Sequence, residues 1–355
     1  MASVPCRTKR GFCVSSYAAA SLRGPSENSI GSCDRLCRVT SPELARLPHR
    51  PSAVDLRVRV GSLFLENPII AASGTFGYGL EFAHIVDLNR LGGIVVKGLS
   101  RQPMAGAPAP RMCETPSGLL NAIGLQNIGV EAFVSEKLPE LLRYKTAIFA
   151  NVFGCNVSEY VEVIRVLEDT EGLVGYELNI SCPNVEKGGA EYSTQPGLTA
   201  EVVAAARSVA KRPLWVKLSP VIGNIAVIAK AAESAGADAL VIANTYPAMC
   251  LDVHNRRSRL GSTSGGLSGA AIKPITVKLV YEASRVCNIP IVGLGGIESP
   301  TDVAEYLLAG ASAVEVGTAH FADPRASEGL IAGLESWCQD QNIFEISSLR
   351  GALRV

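Results

Sequence analysis

Pro290-Ile291-Val292-Gly293-Leu294-Gly295-Gly296, then Ser299-Pro300 running on to Leu308, then Ala313-Val314-Glu315-Val316-Gly317-Thr318, make up one complete folding unit. Pro290–Gly293 is apolar and too short for a helix, and reads as a strand buried on both faces. Gly295-Gly296 interrupts it. Ser299-Pro300 is a helix start signal, because the hydroxyl can cap the first turn and proline is already set to a helical φ. The apolar spacing then predicts a helix over Pro300–Leu308. Ala313–Val316 is a second short apolar run, closed by Gly317. A strand, a crossover helix and another buried strand form a βαβ unit with parallel strands.

Outward from this unit the same theme repeats. Further strands are expected at Pro68–Ala72, Gly93–Lys97, Ala147–Val152, Gly175–Ile180, Leu214–Leu218 and Ala239–Ala243. Helical patterns fill most gaps, at Ser158–Glu168, Ala200–Lys211, Ile222–Ala235 and Ala271–Val286, with Ala326–Cys338 after the last strand. Eight apolar strands with crossovers imply a parallel sheet covered on both sides, and eight is the number that closes a (β/α)8 (TIM) barrel. A doubly wound open sheet is the alternative, but the glycine fingerprint it carries after its first strand is missing. Val54–Val60 alternates apolar and polar residues and turns at Gly61 into Ser62–Leu65, an N-terminal β-hairpin. Residues 98–135 fit no single βα unit and read as a long insertion over the barrel mouth. The chain therefore divides into a disordered or leader-like tail (1–50), the barrel (51–345) and a C-terminal tail (346–355).

Composition excludes several classes. Lys plus Arg and Asp plus Glu balance at 33 each, without the basic excess of a nucleic-acid binder. Ten Cys in 355 residues are too dilute for a disulfide scaffold. No apolar run reaches the ~18–20 residues of a membrane span. Residues 1–50 hold eight Lys/Arg against three acids, a composition that fits either a tail or a transit leader. A cytoplasmic protein is the expectation, with organelle import the lesser one.

A (β/α)8 barrel places its active site at the C-terminal strand ends. The residues there are Ser73, Lys97-Gly98, Asn151, Asn179 with Cys182, Lys217, Asn244-Thr245, Gly295-Gly296 and Gly317-Thr318. Lys97 and Lys217 each end a buried run, where a lysine needs an anionic partner or a lowered pKa. The glycines after strands seven and eight let backbone N–H groups approach a phosphate, as barrel phosphate sites do. Asn121, Asn179, Asn244 and Thr245 offer donors and acceptors suited to a planar ring with alternating C=O and N–H groups. Cys182, in Asn179-Ile180-Ser181-Cys182-Pro183-Asn184, lies at this rim. No His stands in a recognisable pair with it, which favours a proton-transfer role over a Cys–His nucleophile.

These segments, with Ala72–Gly77, Asn121–Asn127 and Gly266–Gly269, make the chain resemble the class 1B dihydroorotate dehydrogenases from about residue 54 to 340. The resemblance implies FMN held by Ser73, Lys97, Gly98, Asn151, Asn179, Lys217, Ala243, Gly269, Gly295, Gly296, Gly317 and Thr318. It implies dihydroorotate or orotate at Lys97, Asn121, Ala122, Ile123, Gly124, Leu125, Asn179, Asn244 and Thr245, with Cys182 as the base. Ala243 stands where relatives usually carry a bulkier aliphatic residue. Asn184–Gly189 resembles the 1B form of the flap. The 1B likeness also implies a partner subunit bearing FAD and a [2Fe–2S] cluster, two of each chain, passing electrons to NAD+. Alternatives are a flavin barrel of the dihydropyrimidine dehydrogenase type, a fumarate-linked class 1A enzyme, and a non-catalytic phosphate-binding barrel or a sugar-phosphate lyase.

Overall fold

The computed structural model describes residues 54–181 and 192–354. The expectations for residues 1–50, for Cys182 and for the Asn184–Gly189 flap lie outside the described residues.

Strands β1 (Val58–Val60) and β2 (Leu63–Leu65) form the expected antiparallel hairpin. The barrel strands are β3 (Ile69–Ala71), β4 (Gly93–Leu99), β7 (Ala147–Val152), β8 (Gly175–Asn179), β9 (Leu214–Leu218), β10 (Ala239–Ile242), β15 (Ile291–Leu294) and β16 (Ala313–Val316). They pair in that order, all parallel, and β16 closes back on β3. Their interiors are buried on both faces, which is why the sequence shows continuous apolar runs rather than alternation.

The helices outside follow from spacing and caps. Val157–Glu168 turns Tyr160, Val163, Ile164 and Leu167 inward, a three-four-seven stripe, with the Asn156 side chain accepting from Glu159 N. Pro300–Leu308 begins on a reciprocal box in which Ser299 caps Asp302 N and the Asp302 carboxylate accepts from Ser299 N. The helix expected over Ala200–Lys211 instead spans Pro196–Arg207, because Pro196 occupies its first turn.

Two insertions matter for the site. The one after β4 contains sheet: β5 (Met112–Thr115) and β6 (Gly118–Asn121) form a hairpin. A second insertion after β10, unanticipated from sequence, contributes β11 (Tyr246–Ala248), β12 (Leu251–Asp252), β13 (Arg257–Ser258) and β14 (Gly265–Ser268). The two insertions merge into one antiparallel sheet of order β11-β14-β6-β5, with β12 and β13 as a separate ribbon. At the other end of the chain, Ile346–Leu349 is a 3-10 turn that buries Ile346 and Leu349, and Glu345 bridges to Asp55. Residues 346–349 therefore belong to the barrel body rather than to a free C-terminal tail.

Candidate active site

One cavity opens where the barrel strands end, enclosing about 1270 Å³ of space between atoms, part of it open to solvent. Ser73, Lys97, Gly98, Asn151, Asn179, Lys217, Ala243, Gly269, Gly295, Gly296, Gly317 and Thr318 all line it. So do Asn121, Ile123, Gly124, Leu125, Asn244 and Thr245. Ala122 does not: it is buried with Leu120 and Leu260 in a separate small apolar cluster. Side chains on a strand alternate, so the residue after Asn121 points to the opposite face of the insertion sheet.

Strand register brings the polar groups together. Asn179 on β8 sits beside Lys217 on β9, and Asn151 on β7 beside Glu177 on β8. Asn151 Nδ2 donates to Ser73 Oγ at 3.3 Å and to Glu177 Oε1, while Asn179 Nδ2 donates to Asn151 Oδ1 at 3.4 Å. Asn179 Oδ1 accepts from Ser181 Oγ at 2.8 Å, and Asn244 Nδ2 donates to the same hydroxyl at 2.8 Å. A chain of amides and hydroxyls thus crosses the barrel mouth, with each rotamer fixed by the next group. Ser181 is a positioning residue of this chain that sequence reasoning passed over.

The two lysines differ. Lys217 is buried and its Nζ lies 3.3 Å from both Glu177 Oε1 and Glu315 Oε2, carboxylates with no solvent exposure. Burial opposes its charge, but the two carboxylates outweigh this and hold Lys217 above the usual lysine range. Burial first, and the neighbouring Glu177 second, push the Glu315 carboxyl well above the ordinary range. The triad thus sets one cation against two carboxyl groups, of which Glu315 is the one pushed toward its protonated form. Lys217 has its counter-charge inside the protein, so its place at a buried strand end does not by itself call for an external anion. Lys97 is half-buried, and among the described residues no carboxylate pairs with it at salt-bridge distance. Burial lowers its pKa, with Glu81 opposing and Arg111 assisting. Of the two, Lys97 is the cation an incoming anion would neutralise. Glu177 and Glu315 carry one sequence signal, a single acid inside an otherwise apolar strand.

The loops supply open space and close approach. A Cβ on Gly74 would meet nothing within 4 Å, and one on Gly317 only Ala72 and Thr75 at 3.8 Å, so both backbones face the open cavity. Gly124 and Leu125 both have left-handed φ, 71° and 56°. At Gly124 a side chain would also strike Ala107 N at 2.4 Å, whereas Leu125 carries its strain with a side chain in place.

A closed (β/α)8 barrel whose strand ends present a half-buried cation, a row of fixed amides and glycine-lined loops has the architecture of a barrel enzyme acting on a planar polar substrate. The dihydroorotate dehydrogenase family model matches residues 55–337, and the chain belongs to that family. A protein of Solibacter usitatus, named putative dihydroorotate dehydrogenase A (fumarate), is 54% identical over 84% of this chain and 99% of its own length. The dihydroorotate dehydrogenase B (NAD(+)) catalytic subunit of Pelobacter propionicus is 48% identical over 84% of this chain and 98% of its own. A solved dihydroorotate dehydrogenase from Eimeria tenella, in complex with ferulenol, superimposes with a TM-score of 0.71 over 84% of this chain and 88% of its own. At 22% identity that likeness is one of fold.

Proposed function

We propose that the chain oxidises (S)-dihydroorotate to orotate with FMN as its resident cofactor, Cys182 as the base, and NAD+ as final acceptor through a partner subunit carrying FAD and a [2Fe–2S] cluster. The assembly is a heterotetramer of two of each chain, working in the cytoplasm. One observation carries the reading: Lys97, the Asn151–Asn179–Asn244 chain and the glycine loops after β15 and β16 meet in a single cavity. The residues fit a flavin mononucleotide. Gly295, Gly296, Gly317 and Thr318 would hold its phosphate on backbone N–H groups, with Gly74 and Gly317 leaving the space that side chains would fill. Asn151, Asn179 and Lys217 would hold the ring, and Lys97 would offset negative charge there. Bound FMN supplies the hydride acceptor.

The substrate carboxylate goes to Lys97 and to the Asn121–Leu125 backbone, while Asn179, Asn244 and Thr245 meet the alternating C=O and N–H groups of its ring. Cys182 Sγ takes the proton beside the ring carbonyl. Dihydrouracil has no carboxylate to satisfy Lys97, so the dihydropyrimidine alternative is the weaker one. The test starts with colour and bleaching: the purified protein is yellow and is bleached anaerobically by dihydroorotate. Cys182→Ala keeps the colour and loses most turnover, whereas turnover near the parent rate removes the base assignment. The acceptor is separated by assay. NAD+ reduction only with the partner present supports the proposal, and rapid fumarate reduction by the chain alone supports the type A reading that the Solibacter relative's name favours.

A further inference from the structure

Cys113 on β5 and Cys250, just past β11, come from the two insertions and belong to opposite edges of the four-stranded sheet. Both side chains nevertheless pack against the same small apolar cluster of Leu120, Ala122 and Leu260. The contact arises because the chain leaving β11 folds over the outer face of the sheet. Cross-strand partners share a face: Cys113 pairs with Leu120, and Leu120 with Leu267, on the side of the small apolar cluster. Met112, Asn121 and Gly266 pair in the next row, where Met112 and Asn121 face the active-site cavity. The thiol pair therefore sits behind the wall of the cavity, away from the reacting groups.

Arg259 ties the two segments together at this point. Its N–H donates to Cys250 O at 2.9 Å, and its Nη1 reaches Cys250 Sγ at 3.5 Å and Glu114 O, next to Cys113, at 3.3 Å. A guanidinium against one sulfur, two thiols packed on one small cluster and partial solvent access form the setting in which a cysteine pair oxidises. We propose that Cys113 and Cys250 are a reversible disulfide site, closed by a peroxide and opened by a dithiol reductant, that clamps the two insertions over the cavity.

The steps balance. Cys250 Sγ gives an electron pair to one peroxide oxygen, the O–O bond breaks, and a sulfenic acid and one water result. Cys113 Sγ then attacks that sulfur; the S–S bond forms, the S–O bond breaks, and the second water leaves with the remaining proton. Two thiols lose two electrons to one peroxide. Arg259 Nη1 at 3.5 Å assigns the first oxidation to Cys250, the sulfur beside the cation. A dithiol reverses the link by two exchange steps, ending as its own disulfide.

The test treats the purified holoprotein, full chain, with hydrogen peroxide, alkylates free thiols and maps peptides without reduction. A Cys113–Cys250 linked peptide pair is expected, lost on adding dithiothreitol and absent in Cys113→Ser and in Cys250→Ser. Both thiols remaining alkylatable, or either passing to sulfinic acid without the link, overturns the site. Amide exchange is read on the same samples. Slower exchange across Met112–Asn121 and 246–259 in the oxidised form is expected, and unchanged exchange with the link in place overturns the clamp. Neither readout depends on which substrate the cavity takes.

Discussion

Two carboxylates compete for one ammonium at the base of the cavity, and the outcome decides how each tolerates change. With Glu315 held protonated by burial and by Glu177, Glu315→Gln swaps one neutral group for another of the same shape. A carboxyl raised in the folded state contributes stability that is complete below its unfolded pKa and is lost as pH rises through the folded one. Glu315→Gln should therefore change unfolding free energy by less than about 1 kcal/mol in mild acid and gain on the parent protein as pH rises. Glu177→Gln should also be survivable, because Glu315 can then release its proton and face Lys217 alone. The double variant leaves a buried cation with no counter-charge, and removing all partners of a buried charge costs about 3–5 kcal/mol. Urea unfolding of the four proteins tests this: a double-variant loss well above the sum of the singles is expected, and simple additivity would sink the description of one carboxylate sufficing for Lys217. Lys217 was visible in the sequence because a lysine ending Leu214-Trp215-Val216 stands out. Glu177 and Glu315 were less so, because one acid in a short strand is also what a strand with one wet face would show.

The insertion sheet is where local pattern said least. Arg257-Ser258 and Leu251-Asp252 are two-residue strands, too short for alternation to register, and the glycines of Gly265–Ser268 read as turn rather than strand. What makes Gly265–Ser268 a strand is pairing across about 150 residues of sequence, Gly266 with Asn121 and Ser268 with Leu119, whereas the two short strands pair only with each other. The barrel strands, in contrast, were legible because burial on both faces leaves an apolar run with a polar residue at its end. The sheet also sets how glycines respond to substitution. A Cβ on Gly118 would lie 2.0 Å from Ser268 O, a backbone atom that cannot turn aside. Gly118→Ala should push β6 from β14, cost about 1–3 kcal/mol and displace Asn121 three residues along. On the proposed function this weakens orotate binding tenfold or more, read by titration of the holoprotein. Gly329 lies inside the helix Ala326–Asp340 and a Cβ there would touch nothing within 4 Å. Gly329→Ala should gain about 0.5–1 kcal/mol and leave orotate binding unchanged. The same chemical change thus takes opposite signs in the two elements, and similar effects at both positions would refute the packing argument.

At the scale of the whole molecule, the barrel must close between its last strand and its first, and β16 meets β3 over three registered pairs. The seam above that joint is packed by His320, just after β16, against Phe76, just after β3, with ring centroids 4.8 Å apart. Phe82 stacks on Phe76 at 4.3 Å and itself lies 6.4 Å from the His320 ring, and His320 Nε2 meets Ser327 Oγ at 2.8 Å. His320 is buried, and its Nδ1 has no hydrogen-bond partner among the described residues. Burial lowers its pKa from 6.5 to about 4, against smaller upward pulls from Gly317 O and Asp323. The unfolded chain therefore takes up a proton on this imidazole at a higher pH than the folded chain does. Between those two values the unfolded state binds more protons, so stability falls as pH falls, and the stabilisation is whole only above about pH 6.5. Near pH 5 the loss from this one group is about 2 kcal/mol. Other buried groups add their own pH dependence, so the informative quantity is a difference. Urea midpoints at about pH 7.5 and pH 5 for the parent and for His320→Gln should show the parent losing about 2 kcal/mol more than the variant over that interval. Equal losses would mean that the closing seam carries no ionisable weak point, and that acid opens this barrel elsewhere.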